Sequence, residues 1–255
     1  MDKVVGLFKS HYSIGRSILT LEKTKSAEKD ADSILVLNKS LNREHFFLVE
    51  DSMSGFLECF THCKDLSLDF SFGLRLSVTP NLNKKDEDSL SKQSKYVIFA
   101  NNTKGYQRLC KIYTKAATDG FYYEPRTDFK SMKEHWDNED LSLCVPFYDS
   151  FICKNTLHGA NCFPDFQSLK ASPTFFLEDN ELPFDDLLQQ KVLNYTSKEG
   201  FETQEAQTIL YNKKADFKNY LTFRCIDNRS TLEKPNLNHM TSDTFCLERW
   251  LEKNS

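Results

Sequence analysis

Short apolar runs that alternate with segments of helical period constrain this chain more than any other feature. Val4–Phe8, Ser33–Leu37, Glu44–Val49, Asp69–Val78, Tyr96–Ala100, Leu141–Phe147 and Phe175–Leu177 read as strands. Ala27–Asp32, Ser54–Asp65, Gly105–Ala117 and Leu187–Leu193 read as helices between them. Ser54–Asp65 brings Phe56, Leu57, Phe60 and Cys63 to helical spacing behind a serine cap, and Gly105–Ala117 puts Leu109, Ile112 and Tyr113 on one face. Thr203–Tyr211 and Lys214–Cys225 follow, then a loop, Asn228–Asn238, and a last helix, Asp243–Glu252, in a helical extension from about residue 212. This alternation predicts an α/β barrel or layered sheet. With no internal repeat or low-complexity linker, 255 residues fit one domain. Pro80–Ser94 is polar apart from Leu82 and Leu90 and reads as a mobile loop.

Composition narrows the function classes. Hydrophobic residues at 39%, with 21 Phe, suffice for a real core. A net charge of −4 and a pI near 5.9 argue against bulk electrostatic binding of nucleic acid, which needs Lys and Arg against phosphate. Protein partners are the better expectation, with weak or no direct DNA binding. The eight cysteines form no CxxC pair. Cys59 and Cys63, with His62 between them, read as two packed thiols on a helix rather than a metal fragment. The first residues, MDKVVGLFKSHYS, hold no long apolar run, and no stretch approaches membrane-spanning length. A cytoplasmic protein with reduced thiols is expected. There is no GxSxG, P-loop or GxGxxG.

Three stretches together carry a resemblance. Phe8-Lys9-Ser10-His11-Tyr12-Ser13-Ile14-Gly15 is similar to the opening motif HxHxxYS of PHP domains. Val49-Glu50-Asp51-Ser52, leading through Gly55 to Phe72-Gly73-Leu74-Arg75, resembles an Asp-His turn followed by a helix and a Gly-x-Glu strand. Ala100-Asn101-Asn102-Thr103-Lys104-Gly105-Tyr106-Gln107-Arg108-Leu109, with Gly120-Phe121-Tyr122-Tyr123-Glu124-Pro125-Arg126, matches the motif AKNxxGYxNL…GFYYKPR and is the most specific of the three. Ala215-Asp216 to Ile226 and Pro235-Asn236-Leu237 to Phe245 resemble the end of that region. The chain is thus similar over nearly its whole length to the PHP domain that opens the alpha subunit of bacterial and phage C-family DNA polymerase III. The match is loose only from about Asp149 to Gly200. The resemblance implies a distorted seven-stranded β/α barrel with a metal cleft at the carboxyl ends of its strands.

A working PHP site holds up to three metal ions on His, Asp and Glu, and the ions activate water and clamp a phosphoester. Here the ligand positions depart from that pattern. Lys9 stands where the first motif begins with His. His11 matches the second His, although a shifted register would match Leu7 and Lys9. The Asp-His turn reads Glu50-Asp51-Ser52, and Arg75 stands for the Glu of Gly-x-Glu. Lys95 takes the place of a His, and the late Asp-x-His reads Thr208-Ile209-Leu210. If Lys9, Arg75 and Lys95 converge, they should abolish a multinuclear site, since two unit charges ~4 Å apart repel by about 4 kcal/mol near a protein surface. They could instead pair with Glu50 and Asp51. Were a site to survive, His11, Glu50 and Asp51 would be its ligands.

Plainer roles stand beside these. His11 fits a turn or cap, Glu50-Asp51 the favoured charges at a helix start, and Asp149 a turn former after a strand end, although that position suits a functional carboxylate too. Phe121, Tyr122 and Tyr123 fit packing better than base stacking. Gly105, Tyr106, Tyr122, Tyr123, Pro125 and Arg126 are expected to be structural, with Arg126 holding the turn to the barrel.

With these departures at the ligand positions, the chain is expected to be a catalytically inactive scaffold or docking module for a polymerase core, a proofreading exonuclease or another replication protein, with no cofactor. One alternative is a metal-dependent phosphoesterase or 3′–5′ exonuclease using Zn or Mn. Another is a decoy that binds a host replication protein.

Overall fold

The computed structural model describes residues 3–24, 31–227, 229–232 and 242–255. The helix expected at Ala27–Asp32, most of the Asn228–Asn238 loop and the Pro235-Asn236-Leu237 motif lie outside the described residues. Among them, eight strands and ten α-helices follow in α/β order. They are β1 (Val5–Phe8), α1 (Ile34–Ser40), β2 (His45–Glu50), α2 (Phe56–Leu66), β3 (Asp69–Val78), α3 (Glu87–Ser91), β4 (Ser94–Ala100), α4 (Thr103–Thr118) and β5 (Arg126–Thr127). Then come α5 (Phe129–Lys133), β6 (Leu141–Val145), α6 (Phe151–His158), α7 (Phe166–Leu169), β7 (Thr174–Leu177), α8 (Asp185–Glu199), β8 (Thr203–Ile209), α9 (Phe217–Asp227) and α10 (Leu247–Asn254). The strands hydrogen-bond in the order β2-β1-β8-β7-β6-β4-β3-β5, and β2 also pairs with β3. Seven strands therefore close into a ring, with β5 appended to β3: a distorted (β/α)7 barrel.

The chain divides into two compact units. The first comprises Met1–Phe72, Glu178–Asp185 and Glu205–Ser255; the second comprises Gly73–Leu177 and Asp186–Gln204.

In the first unit β1 is parallel to both neighbours, with Leu7 opposite Phe47 in β2 and opposite Thr208 in β8. The strand is nearly all buried and lacks a polar face, as parallel strands covered by helices do. Gly6 is required there, because a Cβ would lie 2.9 Å from the Trp250 ring of α10. Trp250 Nε1 donates to Val4 O at 2.8 Å, and its ring meets Phe8 edge-on at 6.1 Å.

Ser33–Leu37, expected as a strand, is instead the start of α1. Ser33 caps it, accepting from Val36 N, and Ile34, Leu35 and Asn38 are buried on one side. A β-rich composition gave way to a cap and a helical burial stripe. In α2 the cap position is Gly55, with no side-chain bond, and not Ser54. The helix buries Cys59 and Cys63, whose sulfurs lie 3.8 Å apart, as expected of packed thiols. Leu57 and Phe60 face solvent.

The second unit holds the antiparallel part of the sheet. β4 runs opposite to β3 and β6, with Ser77 directly across from Lys95, while β6 and β7 are parallel. Its core is aromatic: Tyr96, Phe129, Phe151, Phe166, Phe175, Tyr195 and Phe201 contact one another with ring centroids 5.2–6.4 Å apart, mostly edge-on. The polar segment 80–94, expected as a loop without structure, contains α3. Asp86 and Ser89 form a capping box around its start, and Leu82 is buried with its N–H on Asp128 Oδ2 at 2.9 Å. Polar side chains satisfying backbone groups order this stretch without an apolar stripe.

Candidate functional site

In the first unit, β1 and β2 run parallel, so Lys9–His11 and Glu50–Asp51 emerge at the same end of the sheet. Lys9 follows β1 with its backbone N–H on Ile209 O at 3.2 Å, and its ammonium donates to Asp51 Oδ1 at 2.8 Å. The pair is partly shielded, with side chains 8% and 28% exposed. Glu50 is fully buried. Its Oε1 accepts from Ser10 N at 2.8 Å and its Oε2 from the Ser13 hydroxyl, which in turn accepts from Asp51 N at 2.9 Å. Burial pushes the Glu50 carboxyl above its ordinary range, against the pull of Ser10, Ser13 and the Lys9 ammonium.

His11 starts a turn, its N–H on Leu19 O at 2.8 Å and its ring 4.5 Å from that of Tyr12. Its Nδ1 is buried with no hydrogen-bond partner. The Tyr12 hydroxyl donates to Glu58, which raises the pKa of the phenol. Leu210 is buried in the wall: its N–H goes to Phe245 O at 2.9 Å, and its carbonyl accepts from Ile18 N and Ser17 Oγ.

One buried carboxylate escaped sequence reasoning. Glu178, directly after β7, accepts from Thr208 N and Thr208 Oγ1, both at 2.8 Å, and from Asn180 Nδ2 at 3.1 Å. Gln207 Nε2 bonds Asn180 Oδ1 at 2.6 Å, and Lys253 Nζ reaches Gln207 Oε1 at 2.7 Å. Burial raises the Glu178 carboxyl pKa and lowers that of the Lys253 ammonium. The only sequence signal was Thr208 in the place of an Asp; a lone Glu in a weakly patterned stretch carried none.

In the second unit, Arg75 and Lys95 each meet a carboxylate of the same unit. Arg75 Nη2 meets Asp149 Oδ2 at 2.5 Å, and Lys95 Nζ meets Glu124 Oε2 at 2.6 Å. Lys95 N also donates to Asp149 O at 2.9 Å. Asp149 sits in the left-handed region (φ 60), so its turn-forming role and its pairing role coexist. Burial presses the Glu124 carboxyl upward, but Lys95, Ser77 and Arg75 outweigh it and hold the carboxyl below its usual range.

The residues of the most specific motif lie in the first turn of α4 and in the stretch leading into β5. Gly105 lets α4 approach so closely that a Cβ would lie 2.0 Å from the Asp140 carbonyl oxygen. Tyr106 is half-buried, and burial with the nearby Cys110 thiol pushes its hydroxyl up to about 12. Arg126 is fully buried, donating to Gly120 O, Ser89 Oγ and Lys84 O, with its guanidinium 4.9 Å from the Tyr122 ring centre. Pro125 is half-buried beside it. Two of the aromatics are exposed, Tyr123 at 79% with its ring edge-on to Tyr122 at 4.8 Å, and Phe121 at 50%.

The divalent ions implied by the resemblance do not suit these side chains. Both Glu50 oxygens are committed to donors, Asp51 Oδ1 faces an ammonium, and no group of three or more His, Cys, Asp or Glu among the described residues is arranged to hold an ion. An ammonium in such a cluster repels a cation. No helix among the described residues is long and apolar enough to cross a membrane.

The family model for the PHP domain matches residues 9–154, more than half of the chain. The chain belongs to the PHP family. This PHP domain is similar to DNA polymerase III subunit alpha of Chlamydia muridarum and of Chlamydia trachomatis, each 29% identical over 86 residues. It is 26% identical over 89 residues to the same subunit of Deinococcus radiodurans. Each match covers 33% of this chain and 7% of the relative's length. Among solved structures, a Bifidobacterium adolescentis protein provisionally named a metal-dependent phosphoesterase aligns at a TM-score of 0.43 with 8% identity, over 81% of this chain and 88% of that one.

Proposed function

We propose that this PHP domain performs no metal-dependent chemistry and serves in the cytoplasm as a scaffold or docking module in DNA replication. It would be the PHP portion of a C-family alpha subunit, holding a polymerase core, a proofreading exonuclease or another replication protein. The observation that carries the reading is the Lys9 ammonium on Asp51 at 2.8 Å, at the strand ends where the motif resemblance calls for a metal ligand. The kinship to polymerase alpha subunits supports the replication context. A net charge of −4 supports protein rather than DNA as the partner.

Two measurements test it. The purified protein should not degrade single-stranded DNA with added manganese or zinc. Nuclease activity that disappears in His11→Ala would refute inactivity. In gel filtration it should co-elute with a polymerase core stripped of its own PHP domain, or with a proofreading exonuclease; failure with both would sink the docking role.

A metal-dependent phosphoesterase or exonuclease remains the second reading, favoured by one observation. His11 Nδ1 is a buried, unpartnered nitrogen of the kind that binds zinc or manganese.

A further inference from the structure

Two ion pairs lie in the second unit. Arg75 pairs with Asp149 at 2.5 Å and Lys95 with Glu124 at 2.6 Å. The backbone N–H of Lys95 closes onto Asp149 O at 2.9 Å, and the Arg75 charge acts on Glu124. Glu124 binds more than its cation, because Oε1 also accepts from Ser77 Oγ at 2.7 Å and Gln93 Nε2 at 2.8 Å. Ser77 lies directly across the sheet from Lys95, so one carboxylate ties β3, β4 and the residue before β4 to the turn at 121–126.

That turn is under constraint. Tyr123 has φ 63, which is unfavourable for a residue with a Cβ, and its side chain is 79% exposed, with its ring edge-on to Tyr122 at 4.8 Å. Its two neighbours hold it in place. Tyr122 N donates to Glu124 O at 3.1 Å, Tyr122 stacks over Arg126, and Glu124 is anchored from below.

We infer that Arg75, Lys95, Glu124 and Asp149 form a metal-independent ionic clamp, with Glu124 as the positioning residue that presents the exposed Phe121–Tyr123 turn in one conformation. The clamp rests on the metal-free reading above: it supplies by charge pairing the cross-link that a divalent ion would otherwise give these strand ends.

Limited proteolysis with chymotrypsin, which cuts after Phe and Tyr, reads the turn directly. Glu124→Gln and Lys95→Met should each speed nicking at Phe121–Tyr123 about tenfold, and the double variant should be no faster than either alone. EDTA should leave the wild-type rate unchanged. Lys214→Met, which breaks the distant surface pair with Glu252, should nick at the wild-type rate. Circular dichroism confirms that each variant is folded before digestion. Wild-type nicking of a folded Glu124→Gln protein, additive effects in the double variant, or opening by EDTA alone would each overturn the clamp. Loss of partner binding with the clamp intact refutes only the docking role.

Discussion

Lys9→Met removes the ammonium at the end of β1 while keeping most of the buried stem. Breaking a fully buried ion pair by deleting one partner costs about 3–5 kcal/mol, whereas an exposed pair contributes only about 0.2–1 kcal/mol. Lys9 is 8% exposed but Asp51 is 28% exposed, so water recovers part of the Asp51 carboxylate. An intermediate cost of about 2 kcal/mol follows. For a chain of this size that lowers the melting temperature by roughly 4–8 °C. The assay is thermal denaturation of wild type, Lys9→Met, Asp51→Asn and the double variant. With the pair formed, the double variant should lose less than the sum of the singles, leaving a coupling of about 1–2 kcal/mol. Strict additivity, or a Lys9→Met melting point within about 1 °C of wild type, would refute the pairing and the reasoning built on it.

Gly105→Ala sets a methyl 2.0 Å from the Asp140 main-chain oxygen, a clash no side-chain rotation relieves. It should cost about 3 kcal/mol or more in chemical denaturation, and a loss under about 1 kcal/mol would show that α4 does not approach so closely. Glu178 gives a pH dependence. Its folded pKa is raised by burial, so the native state holds the proton more firmly than the unfolded chain. Its contribution is greatest below the ordinary Glu range near ~4.3 and declines as pH rises through and above it. The stability difference between wild type and Glu178→Gln should fall with pH, and a difference that grows would reverse the assignment.

Strands and helices with a clean period were legible, and Asp69–Val78 matches β3 residue for residue. Where polar groups did the ordering, periodicity said nothing. The capping box at Asp86 and the Asp128 cap of α5 build elements from hydrogen bonds that no hydropathy pattern records. The stretch from Phe147 to Phe184 has a weak period because its aromatics pack with one another across short helices, so no long helical stripe develops there.

At the candidate site, the chemical types of Lys9, Arg75 and Lys95 were readable, and so was the need for counter-charges. Asp51 was one of two carboxylates open to Lys9. Asp149 and Glu124 were not expected as partners, because both contacts depend on strand register and on corners 74 and 29 residues away. Glu178 was invisible for the same reason: its role is set by Thr208, on another strand.

The Trp250 indole on the Val4 carbonyl links residues 246 apart, and Asn254 brackets the same Val4 peptide from both sides. During synthesis the first strand therefore waits for its lid. At about 5–20 residues per second, roughly 12–50 s pass between the emergence of Val4 and that of Trp250. The largely continuous stretch from Gly73 to Leu177 can condense in that interval, while an apolar strand made at the outset stays available to chaperones, or to wrong partners, until the last helix arrives.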